Sequence, residues 1–547
     1  MEVSVRVAIA ISLSALTLAG CGGGSDDTVA ATPSAPPTVS IADYVVPRPP
    51  SCGTSDAPET ALQGQVPAAM RQAGFGGFSC NLKLVSQLQG EGASWSSATY
   101  TDKKGQTCFY HATMGSPAFN NPAAPPRVNP GVPVINITDP AHPVRVSSLT
   151  STSMVDPWES LRVNVARGIL AADNGVNGGG GSEIDLYDIS TDCTAPQLLA
   201  SVPVGTGADG GIIPATKPLG HEGNFSPDGL TYYVGGAMTK TYYAIDLTVP
   251  TRPKLISAIS LADLGLDSFS HGLSVSQDGT RAYFVASGNL GATNGSAAPP
   301  LNSANATGDN GFFVVDTSEI QSRRPNAQMH RVSTVPIRNG SAAQHTIPFS
   351  VGGKPYVVEV DESGSGGLQD AGAAGVKAAC NAGMTPFPLA HIYDMSNEAS
   401  PQLVSETRLE THAVENCSKV VPDVLGLAWF TYGSHYCSVD NRENATALAC
   451  SYFNSGVRVF DIRDPSKPKE IAYYNPPAAK SPGAGSAHLM FGQYRSGGPD
   501  WCASRLDFDF DRHLLTTACQ DNGLLVLAFE NGAWPFPEST KAIETGN

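Results

Sequence analysis

The sequence predicts an all-β fold: a seven-bladed β-propeller closed by an N-terminal strand. Three observations predict it. A phrase of apolar run, Asp or Asn, polar turn, Pro and second apolar run recurs five times. A hairpin pattern precedes most copies. The last repeat lacks an outer strand, and a segment near the N-terminus reads like the missing piece. Self-similarity at such a period means one supersecondary unit stacked many times.

The phrase occupies Val134–Val146, Leu186–Leu199, Tyr243–Leu255, Ile392–Val404 and Val459–Ile471, with a worn sixth copy at Phe313–Pro325. Its turn residues are Asn136, Asp188, Asp246, Asp394 and Asp461. Such side chains accept a hydrogen bond from the backbone two residues on, which starts a turn. Pro143, Pro196, Pro253, Pro401 and Pro468 follow at a near-constant offset. Proline lacks an N–H and belongs on an edge strand, so each copy reads as a hairpin ending in an outer strand.

Upstream lie alternating runs broken by Pro-Asp-Gly (Pro227–Gly229) and Gln-Asp-Gly (Gln277–Gly279), a hairpin signal. Two hairpins make a four-stranded blade. The final blade, near Leu506–Phe529, is one strand short. Asn81–Leu88 matches the outer strand of the other copies and is expected to complete it, leaving only short, protected edges.

These residues resemble the LVIVD-repeat family of bacterial propeller proteins, over about residues 80–530. The resemblance implies an architecture and no particular reaction.

The segments outside the ring are read separately. Residues 1–20 have an apolar core, Val7–Leu18, too short to span a bilayer. They end in Leu18-Ala19-Gly20-Cys21, which resembles the bacterial lipobox and implies cleavage before Cys21 and its acylation. Residues 21–50 read as a disordered tether rich in Gly, Ser, Ala, Thr and Pro. Residues 51–80 form an extension, 81–535 the propeller and 536–547 a tail. Glu59–Gly74 is the one stretch with a helical pattern. The expected setting is an exported protein, lipid-anchored to the outer membrane and touching the membrane through that lipid alone.

The cysteines agree with export. Eleven are present, and removing Cys21 leaves an even ten, as a disulfide framework requires. Cys437 with Cys450 and Cys502 with Cys519 flank hairpin turns and can bridge within a blade. Cys380 with Cys417 and Cys52 with Cys80 are further candidate pairs; Cys108 and Cys193 are left unassigned. No Cys-x-x-Cys occurs. The net charge of −16 argues against nucleic acid as a partner.

One constellation carries chemistry. Aligned on the first strand of each blade, four histidines share a position: His221, His271, His345 and His435, with Trp95 and Trp158 in their place in the first two blades. His488 lies just before the last blade. Inner strands line a propeller's channel, so these imidazoles converge on the axis, where they could hold a transition metal such as Cu, Zn or Fe. Glu159, Glu222, Glu359 and Glu362 are close enough in sequence to accept an imidazole N–H. The other histidines, among them His111, His391 and His412, read as surface or turn residues. Asp507, Asp509 and Asp511 alternate along one strand; calcium is the less favoured reading of them.

Nothing in the sequence names a substrate. The expected function is therefore a non-catalytic binding or scaffold module for a protein or glycan partner. The alternative is a metal-dependent oxidoreductase at the axial histidines. A metal-assisted lactonase or hydrolase ranks last, because it needs carboxylates on the axis and the aligned positions are histidines.

Overall fold

The computed structural model describes residues 45–542, except 115–126, 174–182, 204–219, 237–239, 289–308, 366–372, 428–429 and 491–495. Cys21 and most of the expected tether lie outside the described residues.

Local turn chemistry builds the repeat as the sequence predicts. In each copy the turn carboxylate or amide accepts the backbone N–H two residues on: Asn136 from Thr138, Asp188 from Ser190, Asp246 from Thr248, Asp316 from Ser318, Asp394 from Ser396 and Asp461 from Arg463, at 2.8–3.0 Å. These turns join the third and fourth strands of six antiparallel sheets. Blade one holds Ser97–Thr101, Thr107–His111, Val132–Asn136 and Val144–Leu149, and five more follow in chain order. First strands of successive blades touch one another, so they line the axis.

Blade seven is Asp507–Asp509, Leu514–Cys519 and Gly523–Phe529, with Leu82–Leu88 paired antiparallel to the last. The chain forms a seven-bladed β-propeller, closed by the predicted strand. A further regularity shows that Leu82–Leu88 is a true repeat element. Every outer strand slips register two or three residues in, leaving one bulged residue: Val146, Leu199, Ile256, Val332, Val404, Ile471 and, in the closing strand, Val85. A bulge at one fixed place sharpens the twist of each blade alike.

Apolar side chains from both faces of each sheet fill the spaces between blades. Leu82 is fully buried among Val457, Val459, Leu525 and Leu527 at the seam. Three findings depart from expectation. Phe78–Cys80 adds a fifth strand to blade six, beside Lys469–Asn475. The helix expected over Glu59–Gly74 is confined to Ala68–Ala73, because Pro67 cannot sit in a helix interior but can precede its first turn. Val46, inside the expected tether, is 1% exposed, and its N–H donates to the Arg408 carbonyl.

Five disulfides join all ten described cysteines: Cys52–Cys80, Cys108–Cys193, Cys380–Cys417, Cys437–Cys450 and Cys502–Cys519. Cys108–Cys193 ties blade one to blade two. A buried ion network holds the N-terminal extension to blade six. Arg458, 0% exposed, donates to Glu470 at 2.9 Å and to Glu59, and its guanidinium stacks 4.7 Å from the Tyr473 ring.

Candidate axial metal centre

The first strands and the turns before them aim side chains at the axis. Glu159 follows a tight turn in which Trp158 takes φ 52°, a backbone conformation that bulky residues rarely adopt. Ser160 fixes that turn by donating to the Pro157 carbonyl, and Ser96 donates to the Trp158 carbonyl at 2.9 Å. Glu159 thereby enters a cluster with His221 and His271 from blades three and four, and with Glu362 and His435 from blades five and six.

The donor atoms crowd together. The Nε2 atoms of His221 and His271 lie 3.0 Å apart. Glu159 Oε2 is 3.2 Å from His221 Nε2 and 3.7 Å from His271 Nε2, and Glu362 Oε2 is 3.2 Å from His271 Nε2. Glu159 Oε2 and Glu362 Oε2 are buried with no hydrogen-bond partner. A tetrahedral ion with donors at about 2.0–2.1 Å holds them about 3.3–3.4 Å apart. The observed separations bracket that value.

The electrostatics are those of a tightly coupled pocket. Burial works against charge on Glu159, but His221 and His271 outweigh it and hold the carboxyl well below its usual range. Burial likewise opposes a charged His271, while the Glu362 and Glu159 carboxylates push it well above the ordinary imidazole range. His435 Nδ1 lies 2.7 Å from the Ala503 carbonyl, which can only accept, so that nitrogen carries the proton. Its Nε2 then accepts from Gln344 Nε2 at 2.8 Å.

Below the cluster the axis is plugged. Glu222 Oε1 accepts from Arg162 at 2.6 Å and from Arg505 at 2.8 Å, and Tyr436 donates to its other oxygen at 3.1 Å. Beside the cluster stands an aromatic wall of Trp95, Trp158, Trp501, Phe430 and Phe453. Trp95 is 5.2 Å from the His435 ring and Trp158 6.0 Å from His221. Such a wall keeps the local dielectric low and strengthens every charge interaction beside it.

The structure brings His221, His271 and His435 together and leaves the other aligned histidines elsewhere. His345 stacks on Tyr436 at 4.6 Å, and burial, then Arg162, holds it well below its ordinary value. Register slips between Ala343 and His345 put Gln344 at the level of the cluster; a one-residue slip turns a strand's faces over. His488 pairs instead with Asp521 at 2.8 Å. Of the glutamates, Glu159 and Glu362 reach the cluster directly, Glu222 is taken by arginines, and Glu359 faces His391. Sequence reasoning missed Gln344 and the arginine plug. The signal for the plug was an arginine at or just before an inner strand: Arg162 opens Arg162–Asn164, and Arg505 precedes Asp507–Asp509 by two residues.

Two other expectations change. His111, His391 and His412 are buried, not surface residues; burial lowers His111 to about 4 and His412 to about 3. Asp507, Asp509 and Asp511, for which calcium is the less favoured reading, do not converge: they engage Thr99, Arg512 and Lys541 respectively. The axis, expected to be histidine-rich and carboxylate-poor, carries Glu159, Glu222 and Glu362.

No family model matches the sequence, and no curated protein matches it. Solved propellers are similar in fold. A periplasmic gluconolactonase of Pseudomonas aeruginosa has 11% identity and a TM-score of 0.48, over 78% of this chain and 92% of that one. A putative 6-phosphogluconolactonase of Bacteroides uniformis has 12% identity and a TM-score of 0.46, over 78% and 93%. The likeness is one of fold.

Some of the similar solved propellers are named as gluconolactonase or 6-phosphogluconolactonase and another as a WD40 domain. The expected non-catalytic function is corrected by the axis itself, which concentrates buried ionisable groups that a face for protein or glycan capture does not require. An enzymatic role is therefore open.

Proposed function

We propose that the chain is a metal-assisted hydrolase acting on small carbonyl substrates, esters or lactones, at the axial cluster. One observation carries this reading: His221 Nε2, His271 Nε2 and Glu159 Oε2 lie 3.0–3.7 Å from one another, with Glu362 Oε2 3.2 Å from His271 Nε2 beside them, and neither carboxylate oxygen takes a hydrogen bond from elsewhere. Two imidazoles and a carboxylate are a donor set for catalytic zinc, which polarises carbonyls and lowers the pKa of water.

The protein's own groups divide the remaining work. Gln344 and the Ala503 carbonyl fix the His435 ring, which stands 3.4 Å from the second oxygen of Glu159. The Arg162–Glu222–Arg505 plug closes the axis on one side. His221 and Glu362, the most open members at 9% and 7% exposure, mark the side from which substrate and water arrive. Glu362 is placed there to take a proton from an attacking water.

The test is base uptake in a pH-stat with phenyl acetate and δ-valerolactone, using zinc-loaded protein and the Glu159→Gln and His221→Ala variants. Turnover that needs zinc and falls at least 100-fold in both variants supports the reading. Hydrolysis unaffected by either variant, or substrate-dependent dioxygen consumption in place of base uptake, overturns it.

The five disulfides support an oxidising compartment. We place the protein outside the cytoplasm, anchored by lipid at Cys21. Fatty-acid labelling of wild type and Cys21→Ala tests the anchor; label retained by the variant refutes it.

A further inference from the structure

A second group of ionisable side chains lies away from the axis, within blade five on the face turned toward blade four. Glu359 and Asp361 come from Lys354–Ser363, and His391 from the neighbouring Ala390–Asp394, where it sits opposite Glu359. Strand alternation puts these residues on the same face as Val357 and Tyr393, which pack against Val285 and Phe312 of blade four. All three are at most 1% exposed. One donor atom from each lies within 4.8 Å of the others.

Three features distinguish the group from an incidental acidic patch. First, Glu359 is 0% exposed and neither of its oxygens has a hydrogen-bond partner, though Oε2 stands 4.0 Å from His391 Nε2. Second, both other donors are oriented from behind. Ser341 donates to Asp361 Oδ1 at 2.6 Å, and Oδ2, which takes the Leu389 N–H at 3.4 Å, lies at hydrogen-bond distance, 2.9 Å, from His391 Nε2. Glu406 Oε1 stands 3.3 Å from His391 Nδ1, and Arg408 pairs with that carboxylate at 2.6 Å. A carboxylate on the far nitrogen of an imidazole is the arrangement that fixes a metal-binding histidine. Third, three carboxylates gather around one imidazole: Glu359, Asp361 and Glu406 all approach His391, with the Arg408 guanidinium beside Glu406.

We infer that Glu359, Asp361 and His391 form a second, structural site for a zinc-class divalent ion beside the blade four–blade five seam. A proton on Glu359 explains its burial alone. The ion also explains why three donors converge and why His391 is held on its far side. The site shares no residue with the axial cluster, and it meets blade four through Ser341, which holds Asp361 and accepts from Asn310 Nδ2 at 3.4 Å.

The experiment is metal stoichiometry by elemental mass spectrometry after zinc reconstitution of the disulfide-intact protein. The proteins are wild type, Glu359→Gln and a His221→Ala/Glu159→Gln background that disables the axis. One zinc in the axial background, and one fewer in Glu359→Gln than in wild type, supports the site. No zinc in the axial background, or a folded Glu359→Gln that binds as much as wild type, overturns it. Should Glu359→Gln fail to fold, cobalt loaded into the axial background decides: visible d–d absorption supports the site and its absence overturns it. Wild type binding one ion that only Glu359→Gln removes would sink the axial reading while leaving this one standing.

Discussion

Replacing Arg458 with Met tests the buried network that docks the N-terminal extension on blade six. Met keeps most of the volume and removes the charge. The structure then leaves Glu59 and Glu470 facing one another without their cation, both inside the protein. Breaking a buried pair by removing one partner costs about 3–5 kcal/mol, a shift of roughly two to four decades in the unfolding equilibrium. The stacking of the guanidinium on Tyr473 is lost as well. The loss depends on pH with a definite sign. Burial raises the Glu470 carboxyl even in the intact protein, and Arg458 opposes that rise. Without Arg458 the folded-state value rises further. The stability this group contributes is then complete below its unfolded value of about 4.3 and disappears as pH climbs through the raised one. The deficit should be smaller near pH 4 than at pH 7. Urea unfolding followed by tryptophan fluorescence at both values measures it. Adding Glu59→Gln to Arg458→Met should recover at least 1 kcal/mol at pH 7. A deficit below about 1 kcal/mol, or no recovery in the double variant, would refute the argument that the extension is held by a paired buried charge.

Three further outcomes are expected. Leu82→Ala at the closing seam should destabilise the ring by about 2–5 kcal/mol, measured by thermal unfolding, whereas the same change at exposed Val144 should cost little; equal effects would mean that the closing strand does not bear the seam. Removing Cys108–Cys193 as a double Ala variant should cost about 4.5 kcal/mol, given its sequence separation of 85 and the loop-entropy relation; denaturant unfolding under non-reducing conditions reads it. Burial pushes Asp173 up to about 8 despite a hydrogen bond from Tyr232, so it contributes stability below its unfolded value of about 3.9 that is lost as pH rises through 8. Asp173→Asn should therefore stabilise the protein by a few kcal/mol at pH 8 and by almost nothing at pH 4; a destabilised variant at both values refutes this.

The parts of this fold that were readable in the sequence are those written in short-range chemistry. The Asx turns at Asn136 through Asp461, the prolines of the outer strands and the closing strand at Leu82–Leu88 each follow from a few neighbouring residues. The candidate site was readable in part, because His221, His271 and His435 share a strand position. His345 did not join them because of a register slip that no local pattern announces, and Gln344 took the place. His391 sits in a run that alternates like any other strand, and only the partner carboxylates on the next strand reveal its role. Glu159 was visible beside Trp158, but its reach depends on a backbone conformation that the residue type disfavours. The pairing of Cys108 with Cys193 needed the geometry of two neighbouring blades.

The closing strand also sets an order of assembly. Leu82–Leu88 is the first ring strand to be made and the last that can be placed, because Gly523–Phe529 must exist before it has a partner. A chain delivered from its N-terminus must carry an unsatisfied strand through the formation of six blades, with the matching edge open until the end. Such long-range pairing is slow and leaves edges exposed to other chains. The Cys52–Cys80 bridge, with a separation of only 28 residues, can form early and hold that waiting segment in a compact loop. Oxidation before ring closure would thus act as a guard during maturation as well as a tie in the finished molecule.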